Sequence, residues 1–210
     1  MVEPVTDLDV GRIQSNLGDI REQAGPEVEI LAATKYVAPD DMGALAEAGI
    51  ELVGENRLQD LEAKQERWGE RFTWDFIGNL QSRKVKRILP LVRLIHSVAS
   101  DSVLDQLAKH GRDDTEVLVE VNLSGEEGKG GIEPMALDDF IERCPVTVSG
   151  LMTMPPFTDD PEDSRPYFAR LAELAGECGL TRLSMGTSQD WRVAVEEGAT
   201  IIRLGSVLWA

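Results

Sequence analysis

The chain has 210 residues, of which 42% are hydrophobic and 28% are charged, a composition typical of one globular domain over residues 1–210. No apolar run approaches the roughly 20 residues of a membrane-spanning helix, and the acidic N-terminus lacks the regions of a signal peptide. The two cysteines have no metal-binding or redox spacing, and the net charge of −17 opposes binding to nucleic acid or anionic membranes. We therefore expect a cytoplasmic protein with reduced thiols and no metal site.

The N-terminal segment has the pattern of an amphipathic helix. Thr6 to Asp9 resembles a capping box, and apolar residues recur at helical spacing from Val10 to Ile20. This pattern predicts a helix over residues 7–24.

After this helix, short apolar runs alternate with helical stretches. The runs that predict strands cover residues 28–34, 51–54, 73–78, 94–98, 116–123, 146–152, 182–185 and 200–204. The predicted helices begin near residues 39, 55, 81, 101, 134, 161 and 188. Regular alternation of this kind is typical of parallel strands joined by right-handed crossovers. It favours a closed (β/α)8 TIM barrel with an extra N-terminal helix, and a doubly wound open sheet is the alternative.

Closure of the barrel would have two consequences. The chain ends at Ala210, which leaves no room for a helix after the eighth strand, so we expect the N-terminal helix to cover that gap. The first and eighth strands would also become neighbours, with the seventh strand one place further round.

Lys35 is the first candidate functional residue. It follows the continuous apolar run of the first strand, which is typical of a strand buried on both faces. The carboxyl ends of such strands are where barrels keep their active sites. The structural alternative is a lysine that extends its ammonium group into solvent at a strand end.

The ends of the seventh and eighth strands carry the residues of a phosphate site. Ser184, Gly186, Thr187 and Ser188 form a turn rich in hydroxyl groups and glycine before a helix, and Gly205-Ser206 repeats this chemistry on the adjacent strand. Hydroxyl groups and backbone N–H groups at such turns bind phosphate. Ser188 is also expected to cap the following helix.

Arg203 on the eighth strand bears on the role of Lys35. A lysine beside a phosphate site serves as a charge for a phosphorylated substrate or forms a Schiff base with a phosphorylated aldehyde such as pyridoxal 5'-phosphate (PLP). Arg203 either lowers the pKa of Lys35 or faces the pyridine nitrogen of PLP. In the second role it would leave that nitrogen unprotonated, which favours binding over catalysis. The alternative is a surface or interhelix ion pair.

The chain resembles the pyridoxal phosphate homeostasis protein family, single-domain relatives of the alanine racemase N-terminal barrel. The matching segments are LAATKYV (31–37), GENR (54–57), FIGNLQ (76–81), IHSV (95–98), VN (121–122), GLM (150–152), SMGTS (184–188) and RLGS (203–206). The resemblance implies that Lys35 holds PLP as an aldimine and that Arg203 lies at the ring nitrogen. It implies phosphate contacts from the turn formed by Ser184, Met185, Gly186, Thr187 and Ser188 and from Gly205 and Ser206. Asn56 and Met152 would line the pocket.

The sequence departs from the family pattern at four positions. Asn79 stands where the family usually has histidine, and Arg83 where it usually has asparagine. Thr187 replaces a usual methionine, and Ser206 a usual threonine, which keeps the hydroxyl group. The first two departures concern the pocket mouth rather than cofactor binding.

The resemblance implies a PLP-binding protein of intracellular vitamin B6 homeostasis, without robust catalysis and without catalytic residues. One alternative is a PLP-dependent amino-acid racemase, but that reaction needs a base on each face of the substrate, and neither Tyr36 nor Tyr167 is obviously placed for it. The other is a phosphate-ester barrel enzyme without PLP that uses Lys35 as a charge. We expect a monomer, with PLP-dependent apo-enzymes as candidate recipients and no nucleic acid or membrane partner.

Three further features carry weaker interpretations. His96 is expected to be a satisfied core histidine rather than an acid–base group. The basic stretch 83–87 falls on a predicted helix and is expected to be a solvated face. Lys129, in the glycine-rich loop 125–131, is a candidate for closing over a ligand.

Overall fold

The computed structural model describes residues 5, 7–126, 128 and 130–210. Within them, eight parallel strands form a closed barrel in chain order, and β1 pairs with both β2 and β8. The strands are β1 (Glu29–Ala33), β2 (Leu52–Glu55), β3 (Thr73–Phe76), β4 (Leu94–Val98), β5 (Glu116–Glu120), β6 (Thr147–Met152), β7 (Arg182–Thr187) and β8 (Ile201–Leu204). The prediction of a (β/α)8 barrel is confirmed, and the β1–β8 pairing excludes an open sheet. Thr6 and Lys129 lie outside the described residues.

Helices surround the barrel. They are α1 (Val10–Ala24), α2 (Met42–Glu47), α3 (Leu58–Trp68), α4 (Val85–Ile88), α5 (Asp101–His110), α6 (Leu137–Glu142), α7 (Arg165–Glu177), α8 (Trp191–Glu196) and α9 (Ser206–Trp209). The predicted starts at residues 55 and 188 are too early. Glu55 still pairs with Phe76 in the sheet and Thr187 with Arg203, so both strands run further than the apolar pattern suggests.

Two predictions about the chain ends need correction. The N-terminal helix begins at Val10 rather than residue 7, because the Asp9 side chain caps it by accepting a hydrogen bond from the Arg12 N–H at 3.0 Å. A one-turn helix, α9, does fit after β8, since Leu208 is fully buried against its neighbours.

The expected position of α1 is confirmed. It contacts α2, α8 and α9 and buries Ile13, Leu17 and Ile20. The Asn16 side-chain amide also donates a hydrogen bond to the Leu208 carbonyl at 3.1 Å. The N-terminal helix therefore covers the part of the barrel that the single turn of α9 leaves open.

The core has two parts. A large apolar layer fills the space between the barrel and the helices. A small apolar layer inside the barrel contains Leu31, Leu94, Leu118, Met152 and Ile201. Because inward residues alternate along each strand, polar side chains occupy the interior on either side of this small layer. Among the described residues, no helix has the length and apolar character to cross a membrane.

Truncation of the α1 core face tests its role as a cover. Ile13 is fully buried, so we expect Ile13→Ala to lower the free energy of unfolding by about 2–5 kcal/mol through lost burial and the cavity left behind. Gly18, on the exposed face of the same helix, is the matched control. Nothing lies within 4 Å of an added Cβ there, so Gly18→Ala should raise stability by roughly 0.5–1 kcal/mol. Denaturant titration of both variants measures the difference, and an Ile13→Ala protein as stable as the wild type would contradict this packing.

Candidate functional site

Lys35 lies at the carboxyl end of the barrel, directly beside the end of β8. Ala32 pairs with Leu204 across the β1–β8 seam, so both strands end on the same side of the molecule. The Lys35 side chain is exposed, and its Nζ lies 4.7 Å from the centre of the Tyr36 ring. No ion pair or hydrogen bond joins this amine to another described residue. The structure therefore presents a free amine at the barrel mouth.

A cleft of about 540 Å³ opens beside this amine. Lys35, Tyr36, Asn56, Arg57 and Lys64 are among the residues that line it. The Oδ1 atom of Asn56 is buried there and has no hydrogen-bond partner among the described residues. A buried acceptor without a partner is unfavourable, so this residue of the cleft has an unmet polar contact.

A buried cluster of Thr34, Glu55 and Lys64 fixes the end of β1. The Lys64 ammonium pairs with the Glu55 carboxylate and donates to the Thr34 carbonyl at 2.7 Å, and the Thr34 hydroxyl donates to the same carboxylate at 2.6 Å. Lys64 is 3% exposed and Glu55 0% exposed. Breaking a buried pair of this kind costs about 3–5 kcal/mol, so the backbone next to Lys35 is held firmly.

The two glycine-serine turns of β7 and β8 are joined, as the sequence predicts for adjacent strands. The Ser188 hydroxyl accepts hydrogen bonds from the N–H groups of Gly205, at 2.9 Å, and Val207, at 3.5 Å. Ser188 thus caps α9, and the expectation that it caps the helix after β7 is wrong. Asp190 precedes α8, and its carboxylate accepts from the Thr187 N–H at 2.7 Å and the Thr187 hydroxyl at 3.0 Å.

Gly186, in the first of these turns, cannot be replaced without strain. Its φ is 89°, and a Cβ at this position would lie 2.6 Å from the Ala194 side chain. Glycine is therefore what allows β7 to turn into the following loop so close to α8.

Arg203 points into the barrel rather than into a surface ion pair. It is 6% exposed, its Nη1 donates to the Ser184 hydroxyl at 2.5 Å, and its Nη2 donates to the Thr153 carbonyl at 3.0 Å. Burial lowers the pKa of Arg203 to about 10, although the negative charges of Glu120 and Asp190 oppose the shift. The guanidinium group therefore stays protonated at neutral pH.

Ser184 connects Arg203 to a second buried group. His96 is fully buried, with Nδ1 2.8 Å from the Ser184 hydroxyl and Nε2 3.1 Å from the Asp75 carboxylate. Burial lowers the pKa of His96, although Asp75 opposes the shift. Burial also disfavours ionisation of Asp75, but hydrogen bonds from His96 and Arg93 outweigh it and keep the pKa of Asp75 below its usual value. The interpretation of His96 as a satisfied core histidine agrees with these contacts.

The remaining predicted site residues lie in different environments. Met152 belongs to the small apolar layer inside the barrel, beneath the mouth. The Met185 side chain packs in the outer core between barrel and helices, so only its backbone faces the turn. Ser206 is exposed at the start of α9. Of all the predicted site residues, only Lys35 and Asn56 line the 540 Å³ cleft.

The two departures that concern the pocket mouth lie on the surface. Asn79 and Arg83 are exposed, and Arg83 donates to the Gln81 side chain at 3.1 and 3.3 Å. Arg87 forms an ion pair with Glu62 on the neighbouring helix α3. The basic stretch is therefore an exposed helix face, as predicted.

Four partners of these groups were not predicted from the sequence, namely Thr34, Lys64, Asp75 and Arg93. A signal for Lys64 exists, because it continues the buried spacing of Leu58 and Leu61 on α3, where a charge needs a partner. Asp75 gives a similar signal as a lone carboxylate in the apolar run of β3.

These features define a parallel (β/α)8 barrel with a free lysine after β1, a buried arginine on β8 and linked glycine-serine turns after β7 and β8. Residues 8–210 match the family described as alanine racemase, N-terminal domain. The pyridoxal phosphate homeostasis protein of Aquifex aeolicus is 42% identical over 195 residues, which cover 86% of each chain.

Solved structures agree with this relationship. The PipY protein of Synechococcus elongatus, in a structure with PLP bound, is 31% identical, with a TM-score of 0.83, over 94% of this chain and 100% of its own. Alanine racemase from Corynebacterium glutamicum shares the fold, with 17% identity and a TM-score of 0.76 over 96% of this chain and 60% of its own. The chain belongs to the alanine racemase N-terminal-domain family and, within it, to the pyridoxal phosphate homeostasis proteins.

Burial of His96 predicts how the stability of the protein depends on pH. Below about pH 6.5 an unfolded histidine binds a proton that buried His96 does not. The contribution of neutral His96 to the free energy of unfolding is therefore fully present above this pH. Below it, the free energy of unfolding falls by up to about 1.4 kcal/mol per pH unit. Denaturant titrations between pH 7 and pH 5 should show this slope in the wild type and in His110→Gln. The slope should be shallower in His96→Gln, and equal slopes in all three proteins would show that His96 does not titrate in this way.

Proposed function

We propose that this chain binds PLP at the carboxyl end of the barrel through Lys35 and acts in intracellular PLP homeostasis without robust catalysis. PLP supplies an aldehyde that condenses with a lysine amine. The observation that carries the proposal is the unpaired amine of Lys35 beside a strand, β8, that bears a buried arginine and ends in a phosphate-type turn. The PLP-bound relative with the same barrel supports it.

The residues at the mouth fit PLP in three ways. The free amine of Lys35 is the group that an aldehyde needs. The Ser188 hydroxyl accepts from the N–H groups of Gly205 and Val207, which leaves its own hydrogen to donate to a phosphate. The unpaired Oδ1 of Asn56 offers a further polar contact.

We assign the remaining site residues by position. Thr187, Ser206 and the backbone at Met185 and Gly186 complete the phosphate end. Ser184 and Arg203 form the end that faces the ring nitrogen, and Met152 forms the floor beneath it.

The protonation state of Arg203 explains why the site would bind PLP without strong catalytic activity. Its guanidinium group keeps its proton at neutral pH, so it can give a ring nitrogen a hydrogen bond but not the proton itself. A pyridine ring without that proton is a weak acceptor of electrons, which limits reactions at a substrate carbon.

A racemase is less well supported. Racemisation needs a second base opposite the lysine, but the Tyr36 ring lies beneath the Lys35 amine on the same side of the mouth. Tyr167 lies on α7, outside the barrel. A phosphate-ester enzyme remains the other alternative, but it gives no role to the buried hydrogen bonds of Arg203.

The biological setting belongs to the same proposal. We place the protein in the cytoplasm as a monomer in which residues 1–210 form one binding domain, with PLP-dependent apo-enzymes as recipients of the cofactor. The acidic net charge of −17 supports the exclusion of nucleic acid and anionic membrane surfaces.

The visible absorption band of lysine-bound PLP tests the binding residue. We expect purified protein incubated with PLP to show this band, Lys35→Ala to lose it, and the control Lys86→Ala, on the exposed face of α4, to keep it. Borohydride reduction followed by peptide mass spectrometry should locate the modification on Lys35. A wild-type protein that stays colourless with added PLP would refute the proposal, and phosphate binding without the band would favour a phosphate-ester enzyme.

Hydrogen exchange at a substrate carbon tests the absence of robust catalysis. PLP-loaded protein incubated with L-alanine or D-alanine in deuterated water should leave the α-hydrogen in place, because Arg203 keeps its own proton and the unprotonated ring is a weak acceptor of electrons. Proton NMR of the amino acid measures the exchange. Rapid loss of the α-proton signal that depends on Lys35 would make the racemase the better assignment.

A further inference from the structure

A continuous series of hydrogen-bonded polar side chains, which we call the polar chain, runs from Arg203 through the interior of the barrel. Arg203 contacts Ser184, Ser184 contacts His96, and His96 contacts Asp75. Asp75 then accepts two hydrogen bonds from Arg93, from Nε at 3.1 Å and from Nη2 at 2.8 Å. The polar chain therefore extends from β8 through β7, β4 and β3 to the loop before β4.

The proton positions along this chain follow from the chemistry of each group. Asp75 is ionised and can only accept, so the Nε2 atom of His96 must carry the hydrogen. Nδ1 of a neutral His96 is then an acceptor, and the Ser184 hydroxyl donates to it. The Ser184 oxygen is left to accept from Arg203, which fixes one N–H group of the guanidinium.

The two ends of the polar chain lie at opposite ends of the barrel. Arg203 lies under the proposed cofactor site. Arg93 is 35% exposed at the opposite end of the barrel, where it pairs with Glu29 at 2.7 Å. Arg93 and Glu29 line a cavity of about 810 Å³ at the amino-terminal face. Ser184, His96 and Asp75, between these ends, are buried.

We infer that Asp75 and His96 are positioning residues for Arg203. Through Ser184 they set which N–H groups of the guanidinium are used inside the barrel and which remain for the ligand. This inference rests on the proposed function, because it assigns the direction of Arg203 to the binding of PLP.

A purely structural role for these residues is poorly supported by the packing. The interior layer next to them consists of leucine, isoleucine and methionine, so the barrel can be filled without charges. Replacing a buried charged group by apolar residues of similar volume is often neutral or stabilising. The polar chain begins at Arg203, a buried cation that lies under the proposed site and is hydrogen-bonded inside the barrel.

Tautomer measurement tests the first step without any ligand. The chain has only two histidines, so side-chain nitrogen NMR can observe His96 directly, with His110→Gln for assignment. We expect the Nε2–H tautomer at neutral pH in the wild type. Asp75→Asn should shift His96 toward Nδ1–H, because the new amide can donate to Nε2. A wild-type His96 that is protonated or in the Nδ1–H form would overturn the inference.

PLP affinity tests the second step. Asp75→Asn and Ser184→Ala should each raise the dissociation constant about threefold to tenfold, as expected for loss of one hydrogen bond. Because both act through the same contact, the double variant should be no weaker than either single variant. The matched control is Asp114→Asn, which removes a surface aspartate–arginine pair with Arg112 and should leave the affinity unchanged.

The outcomes separate the two proposals. A wild type that fails to bind PLP refutes the proposed function. A wild type that binds, with single variants of wild-type affinity or with effects that multiply in the double variant, overturns the positioning role while leaving the function intact. If Asp75→Asn does not fold, His96→Phe replaces it, since this variant removes both the donor toward Asp75 and the acceptor for Ser184.

Discussion

The pairing of β1 with β8 is the constraint on which the site depends. These strands are separated by most of the sequence, yet Leu31 pairs with Arg203 and Ala32 with Leu204 in a parallel ladder. The register sets the height of Lys35 above Arg203 and places both toward the carboxyl end of the barrel. The helix α1 supports this seam from outside by packing against α9, which follows β8 directly.

Charge in the barrel is arranged in layers, and this arrangement links the fold to its proposed chemistry. The apolar layer around Leu31 and Ile201 separates an ionic group near Glu29 and Arg182, at the amino-terminal face, from the polar groups below the mouth. His96 and Asp75 cross from one region to the other. Charged side chains inside a protein are costly unless they are paired. Each charged side chain described above therefore has a specific hydrogen-bond partner, and these partners fix the orientation of Arg203.

The sequence was sufficient to predict the closed barrel and the pairing of its first and last strands. Continuous apolar runs mark buried strands, and their alternation with helices leaves few topologies. Helix starts were less predictable, because Glu55 and Thr187 extend their strands through backbone pairing that polarity does not reveal. The cap of α9 could not be predicted either, since the Ser188 hydroxyl reaches a helix on the next strand rather than its own. Contacts such as Lys64 to Glu55, or His96 to Ser184, join residues from different elements and need the folded geometry.

The central claim is that a single ligand is held between Lys35 on one side of the seam and the β7 and β8 turns on the other. A crystal structure of PLP-treated, borohydride-reduced protein tests this most directly. We expect continuous density from the Lys35 Nζ to the ligand, with the phosphate at the Ser188 hydroxyl and the ring nitrogen toward Arg203. Density attached to another lysine, or a phosphate bound in the cavity at the amino-terminal face, would contradict it.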